Sequence, residues 1–236
     1  MALVFDIETV GLDFDSLDQT TRQNLTRWLE RETGDDERLF ETKLKDLKEG
    51  LGFSPLTGEI AAVGVYDTAA DRGVVYFQAP NREAREYSQE NFTFKPQTEA
   101  EMLANFWQGA RAYGEFVSFN GRSFDVPFLM LRSAIHKIRP SVDLMSNRYL
   151  GSQPQSAKHI DLYDQFSFYG AARRKGSLHL YCNAFGINSP KARGVSGDEV
   201  ARLFKERKYE EIAEYNSWDL IATAELYKIW SEYLKF

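Results

Sequence analysis

Apolar and polar positions fall in blocks along the chain, and the period of each block predicts its element. Residues 2–8, Ala-Leu-Val-Phe-Asp-Ile-Glu, read as a short buried strand whose successive side chains face opposite sides of a sheet, so Asp6 and Glu8 share one face. Thr9 to Gly11 break that pattern. Residues 15–50 are highly charged, with helical spacing at Leu25, Trp28 and Leu29 and again at Leu39, Leu44 and Leu47, which predicts two exposed helices. Gly50, Gly52, Pro55 and Gly58 punctuate the exit; 59–66 and 73–79 then read as two strands of a hairpin that turns through 67–72.

Residues 81–97 read as polar and irregular. Thr98 and Glu101 form a capping box ahead of Met102, Leu103, Phe106 and Trp107, predicting a helix to about Tyr113. A strand over 116–119, a turn at Asn120 and Gly121, and a helix over 126–137 with Pro127 in its first turn follow. A last short strand is expected at 159–162. Helices are expected near 163–170, 177–186 and 197–207, the last opened by a capping box at Ser196 and Glu199, and from about 209 to 234. Strands come first and helices accumulate late, with a strand-helix-strand crossover, so the expected fold is α/β with a mixed sheet covered by helices on both faces. The stretches 81–97 and 138–158 are too ordinary in composition to be linkers, and one domain over 1–236 is the expectation.

Composition agrees with a large core: 43% of residues are hydrophobic and 14% aromatic, while 27% are charged. No apolar run approaches the roughly 18 to 20 residues of a membrane span, and the N-terminus MALVFDIE lacks a basic leader, so a cytoplasmic protein without membrane contact is expected. Cys182 is the single cysteine and reads as a buried, inert thiol. The net charge of -6 speaks against holding nucleic acid by bulk phosphate attraction. It leaves a nuclease open, because setting aside four acids neutralised by two divalent cations leaves 29 basic against 31 acidic residues.

Three placements of acids then change the picture. Asp6 and Glu8 end an apolar strand, where two carboxylates on one face repel and lose hydration unless a cation joins them; a solvated strand end is the plain alternative. In the last helix an apolar stripe runs through Ile212, Tyr215, Ala222, Leu226, Ile229 and Tyr233, and Asp219 falls on it one turn after Tyr215. A metal or a core ion pair would satisfy it equally. Asp125 stands where a strand gives way to a helix, which suits both an active-site acid and a helix N-cap. Together the three would assemble four carboxylates and a tyrosine, a donor set suited to hard divalent cations and phosphodiester cleavage. No GxxxxGK[ST], HExxH or GxSxG occurs, and His136, His159 and His179 are scattered, each reading as an ordinary surface or packing residue.

Phe-Asp6-Ile-Glu8-Thr9, Asn120-x3-Phe124-Asp125 and Tyr215-x3-Asp219 resemble, in order and spacing, the three motifs of the DEDD exonucleases. The tyrosine marks the DEDDy branch; the DEDDh branch carries a histidine where this chain has Glu214. Within that branch the chain looks most like the exonuclease domain of family B DNA polymerases and stand-alone bacterial proteins predicted to be related to it. The stretches from Phe116 to Leu129, from His159 to Asp164 and from Ser189 to Val200 carry this likeness, which covers roughly 1–12 and 58–236. The helical, charged residues at about 13–57 depart from it as an insertion, which would either narrow the nucleic-acid channel or extend the surface. No polymerase module lies on the chain, so proofreading in cis is not expected.

The resemblance implies an RNase H-like fold with a five-stranded sheet and 3′-5′ exonuclease activity, with DNA repair, proofreading in trans and RNA processing all open as its setting. It implies two divalent metal ions, Mg2+ or Mn2+. Asp6 would bridge them, Glu8 and Asp219 would hold the ion that carries the nucleophile, Asp125 would support the second through water, and Tyr215 would orient the attacking water. Thr9, Asn120 and Phe124 are expected near the terminal nucleotide, and Arg173, Arg174 and Lys175, with Lys191 and Arg193, are candidate phosphate contacts. The partner expected is nucleic acid with a single-stranded 3′ end, DNA ahead of RNA; a silent nucleic-acid-binding domain is the alternative from another class. No protein partner is indicated.

Overall fold

A computed structural model describes residues 1–80, 84–172, 176–189 and 199–235. Its strands are β1 (Ala2–Gly11), β2 (Gly58–Asp67), β3 (Arg72–Phe77), β4 (Tyr87–Gln89), β5 (Phe92–Pro96), β6 (Glu115–Ser118) and β7 (Lys158–Asp161). Its helices are α1 (Gln19–Thr33), α2 (Glu37–Gly50), α3 (Glu99–Ala110), α4 (Asp125–Ile135), α5 (Leu162–Phe166), α6 (Leu178–Phe185), α7 (Val200–Lys205) and α8 (Tyr209–Tyr233). One mixed sheet runs in the order β4-β5-β3-β2-β1-β6-β7, with β1 parallel to β6 and antiparallel to β2. The five expected strands form the block β3-β2-β1-β6-β7, and the fold is the RNase H-like α/β arrangement.

The sheet has seven strands where five were expected. Residues 81–97 hold the β4–β5 hairpin, which continues the sheet beyond β3 through parallel pairing with β5. Phe92 and Phe94 alternate with Thr93, and both rings are buried against the α8 side, Phe92 stacking on Tyr66 at 5.7 Å and Phe94 on Tyr87 at 4.6 Å. That alternation spans only a few residues before Pro96 ends it, so its period is weak in the sequence.

Alternation along β1 sorts the two cores. Leu3, Phe5 and Ile7 pack with Met102, Leu103, Phe106 and Trp107 of α3 and Val126 and Leu129 of α4. Ala2, Val4 and Val10 pack on the other face with Ile212, Ala213, Leu220 and Leu226 of α8 and with α5, α6 and α7. The even positions therefore face α8, and Asp6 and Glu8 belong to that series. The strand also outlasts its expected end. It continues to Gly11 across a bulge between Glu8 and Thr9, a distortion that re-aims side chains beside a site.

Two further expectations need correcting. The N-cap of α4 is Phe124, which makes no side-chain capping bond, so Asp125 is the first helical residue and not the cap. On α8, Ile212, Tyr215, Ala222 and Leu226 are buried as expected, but Ile229 is half-buried, Tyr233 is exposed and Trp230 takes the buried place. Spacings of seven drift around a straight helix, which carries the end of the stripe out of the core. At α7, Ser196 of the expected capping box lies outside the described residues, and Glu199 makes no side-chain cap. The α3 capping box is present in full. Among the described residues no helix is long and apolar enough to cross a membrane.

Candidate active site

The middle of β1, the start of α4 and the middle of α8 converge within the sheet, where β1 runs on past its pairing with β6. Asp6, Glu8 and Asp219 each offer a carboxylate oxygen, and these atoms lie within 4.8 Å of one another. Glu8 and Asp219 are buried and Asp6 is half-buried. Tyr215, one turn before Asp219, is buried beside them and hydrogen-bonds to Asp219.

Asp125 enters from the opposite layer. Strands β1 and β6 pair only as far as Val4 and Val117, and beyond that point the Ile7 amide donates to Asp125 Oδ1 at 3.0 Å. Asp125 thus lies alongside the trio rather than inside its tight group. Its loop is held from β7: Asp161, buried at the strand end, accepts the amides of Asn120 at 2.8 Å and Arg122 at 3.0 Å. Asn120 itself takes a left-handed conformation at φ 64°, which asparagine tolerates better than most residues.

Electrostatics single these acids out. Burial pushes Asp6 well above the ordinary carboxylate value, and the charges of Asp125, Asp219 and Glu8 push it further. Burial and then Asp219 and Asp125 raise Glu8 in the same way. Asp125 is pushed up to about 7, by burial first and by Asp161 and Asp219, against the amides of its own residue and of Ile7. Among the described residues no lysine or arginine pairs with Asp6 or Glu8. Their polar neighbour is Asn216, whose Nδ2 donates to Asp6 Oδ2 at 2.8 Å while its Oδ1 is buried without a partner. Asn216 fits because β2 carries glycine opposite: a Cβ on Gly64 would stand 1.9 Å from Asn216 Oδ1. Tyr215 is raised by burial and by Asp219, Glu8 and Asp6, so its phenol keeps its proton at neutral pH.

A cleft of about 800 Å³ opens at Glu8. Thr9, Gly11 and Phe124 line it, together with Asp46, Glu49, Gly50, Gly52 and Phe53 from the segment between β1 and β2, and Arg202, Lys205 and Glu206 around α7. That segment therefore forms a wall of the cleft rather than only adding surface. Thr9 and Phe124 both line the cleft, and the Thr9 hydroxyl is committed to the Gly52 carbonyl at 2.8 Å. Asn120 is not in the cleft lining, and its amide is held by Asp161. Arg173, Arg174, Lys175, Lys191 and Arg193 lie outside the described residues. The histidines keep away from the acids: His159 is buried between Ser118 and Leu144, His136 binds Glu99, and His179 binds Ser189. Asn216 and Asp161 were not singled out from the sequence. The signal available for Asn216 was a second polar residue beside Tyr215, and for Asp161 an acid closing an apolar strand.

No curated protein matches the chain. A solved structure, the family B DNA polymerase from the hyperthermophilic archaeon Pyrobaculum calidifontis, superposes with a TM-score of 0.59 over 98% of this chain at 13% identity. The chain spans 24% of that polymerase, and likeness at this identity concerns the fold. The family model described as a predicted 3′-5′ exonuclease related to the exonuclease domain of PolB matches residues 74–234, which include Asp125, Tyr215 and Asp219 but not Asp6 and Glu8. With so much of its 236 residues matched, the chain belongs to this family of predicted 3′-5′ exonucleases related to the PolB exonuclease domain.

Proposed function

We propose that the chain is a single-domain, metal-dependent 3′-5′ exonuclease of the DEDDy type that removes nucleotides from single-stranded or frayed DNA 3′ ends. The observation that carries this reading is the convergence of Asp6, Glu8 and Asp219 within 4.8 Å beside the buried Tyr215. Family membership supports the reaction, and the fold likeness to a DNA polymerase favours DNA.

The donor set fits hard divalent cations. Its members are carboxylate oxygens, buried and mutually repelling, with no cationic side chain on Asp6 or Glu8 among the described residues. Asp6, Glu8 and Asp219 would hold one ion, with Asp6 shared and Asp125 supporting a second. Two such ions, Mg2+ or Mn2+, supply water activation and charge stabilisation at the attacking and leaving oxygens.

The protein's own groups do the positioning. Asn216 donates to Oδ2 and so fixes the Asp6 carboxylate, with Oδ1 turned to the cation. The Ile7 amide fixes Asp125 in the same way through its Oδ1. Tyr215, kept protonated, orients the attacking water by hydrogen bonding and does not take its proton. Phe124 offers its ring to the terminal base in the cleft beside Glu8.

Digestion of matched, 5′-labelled DNA and RNA oligomers with Mg2+ or Mn2+ tests the reading. DNA should shorten stepwise from the 3′ end, and Asp6→Asn should slow it by about 10²- to 10³-fold, the scale of losing one transition-state-stabilising group. Shortening of RNA alone would overturn the choice of DNA. Equal behaviour of wild type and Asp6→Asn on both oligomers would overturn the enzyme reading.

A further inference from the structure

Phe53 is an aromatic ring in the cleft that none of the motifs accounts for and that lies outside the residues matched by the family. It is 66% exposed, yet Leu51 and Gly52 before it are buried. The backbone beneath it is fastened to the end of β1. Thr9 Oγ1 donates to the Gly52 carbonyl at 2.8 Å, Thr57 Oγ1 to the Leu51 carbonyl at 2.8 Å, and the Leu12 amide to the Thr57 carbonyl at 2.8 Å. A Cβ on Gly52 would stand 3.0 Å from the Gly11 nitrogen, and one on Gly11 would stand 2.8 Å from Leu51 Cβ, so the two chains meet backbone to backbone. A large apolar ring is thus held out to water on a fixed support.

Among the described residues the lining of the cleft carries more acid than base. Asp46, Glu49 and Glu206 line it with Glu8, and Arg202 is already paired with Glu199 at 2.8 Å and Glu206 at 2.9 Å. Lys205 is the remaining cation in the lining, without an ion pair among the described residues. Stacking is a binding mode that Phe53 and Phe124 offer in such a lining, and it tolerates any sequence because every base has a π-face. Phe124 adjoins Asp125 and marks the end of the cleft at the acids. Gly52 packs on Gly11, three strand residues beyond Glu8 and so about 10 Å further out.

We propose that Phe53 is a base-stacking residue that holds a base upstream of the 3′-terminal nucleotide, so that the segment between β1 and β2 contributes a strand-binding subsite. This rests on the exonuclease reading and names how that site holds its substrate. Phe53→Ala should keep the wild-type melting temperature, because the ring is exposed, while KM for a single-stranded oligomer rises about tenfold with kcat little changed. Phe53→Trp should keep the wild-type KM.

An abasic scan of the second and third positions from the 3′ end supplies the discriminating measurement. At one of them wild type should lose about tenfold in kcat/KM, and Phe53→Ala should lose nothing further. An unchanged KM for Phe53→Ala, a Trp variant as weak as the Ala variant, or equal abasic penalties in wild type and Phe53→Ala would overturn the proposal while leaving the exonuclease reading intact. A wild-type protein that digests no oligomer would overturn the exonuclease reading, and this proposal with it.

Discussion

Two groups of buried carboxylates sit on this fold and have opposite fates. Glu99, at the start of α3, accepts the Ile60 amide at 2.8 Å, Arg132 through Nε at 2.8 Å and Nη2 at 2.6 Å, and His136 at 2.6 Å. Burial pushes its pKa up, but these partners outweigh burial and hold it below the ordinary value. Asp6 and Glu8, on β1, have the Asn216 amide against burial and the charges of Asp125 and Asp219, and both are pushed well up. Burial is common to both groups, so what separates them is the supply of positive charge. A buried acid with its cation built in is part of the scaffold, whereas an acid left to seek one is part of a site.

The largest expected effect comes from removing each kind of charge in turn. Glu99→Gln leaves Arg132 buried and underpaired and should cost about 3–5 kcal/mol, a fall of roughly 10 °C in melting temperature. Asp6→Asn relieves repulsion and should leave the melting temperature of the metal-free protein unchanged or higher. Thermal unfolding in chelator measures both, and a comparable fall for Asp6→Asn would erase the distinction.

Titration sharpens the contrast, because the two groups carry opposite signs. Glu99 has a folded value below its ordinary 4.5, so its contribution is present above about pH 4.5 and is lost as pH falls through the lower folded value. Asp125 has a folded value of about 7 against an ordinary 3.8, so its contribution is full below about pH 4 and is lost as pH rises towards 7. In the metal-free protein Asp125→Asn should therefore flatten the loss of stability between those limits. Mn2+ at 100 times its Kd should return about 2.7 kcal/mol to wild type. Melting curves across pH, with chelator or Mn2+, supply the measurement.

Asn216→Ala is expected to have the smallest effect of the series. It deprives Asp6 of its orienting donor and should weaken Mn2+ binding by about tenfold, at the low end of losses for residues that orient a metal ligand. Calorimetric titration reads this directly, and an unchanged affinity would mean that Asp6 needs no support.

Much of this was legible in the sequence where a residue broke a period. Asp6 and Glu8 at the end of an apolar strand, and Asp219 on an apolar helical stripe, are misfits that a one-dimensional pattern exposes. Asp125 was legible as a position but not as a bond, since its partner is the Ile7 amide more than a hundred residues away. Asn216 was hidden for a related reason: its place depends on Gly64 across the sheet, and no local period reports on that space. The β4–β5 hairpin was hidden because its apolar content reduces to Tyr87, Phe92 and Phe94 among polar neighbours. The cleft wall was least legible. Its helices were read correctly as exposed, but which surface they shade depends on how Leu51 and Gly52 meet the end of β1.

The last rungs of β1 and β2 carry a consequence for how the fold divides. Gly11 and Gly58 are cross-strand partners, and the Leu12 amide bonds to the Thr57 carbonyl, so the long excursion between them leaves and returns at a single point. A detour of this kind imposes no closure strain on the sheet, and its length can change while the strands on either side keep their register. A short turn joining Gly11 to Gly58 would leave every carboxylate of the site in place. The acid cluster and the cleft wall are thus separable units of one fold.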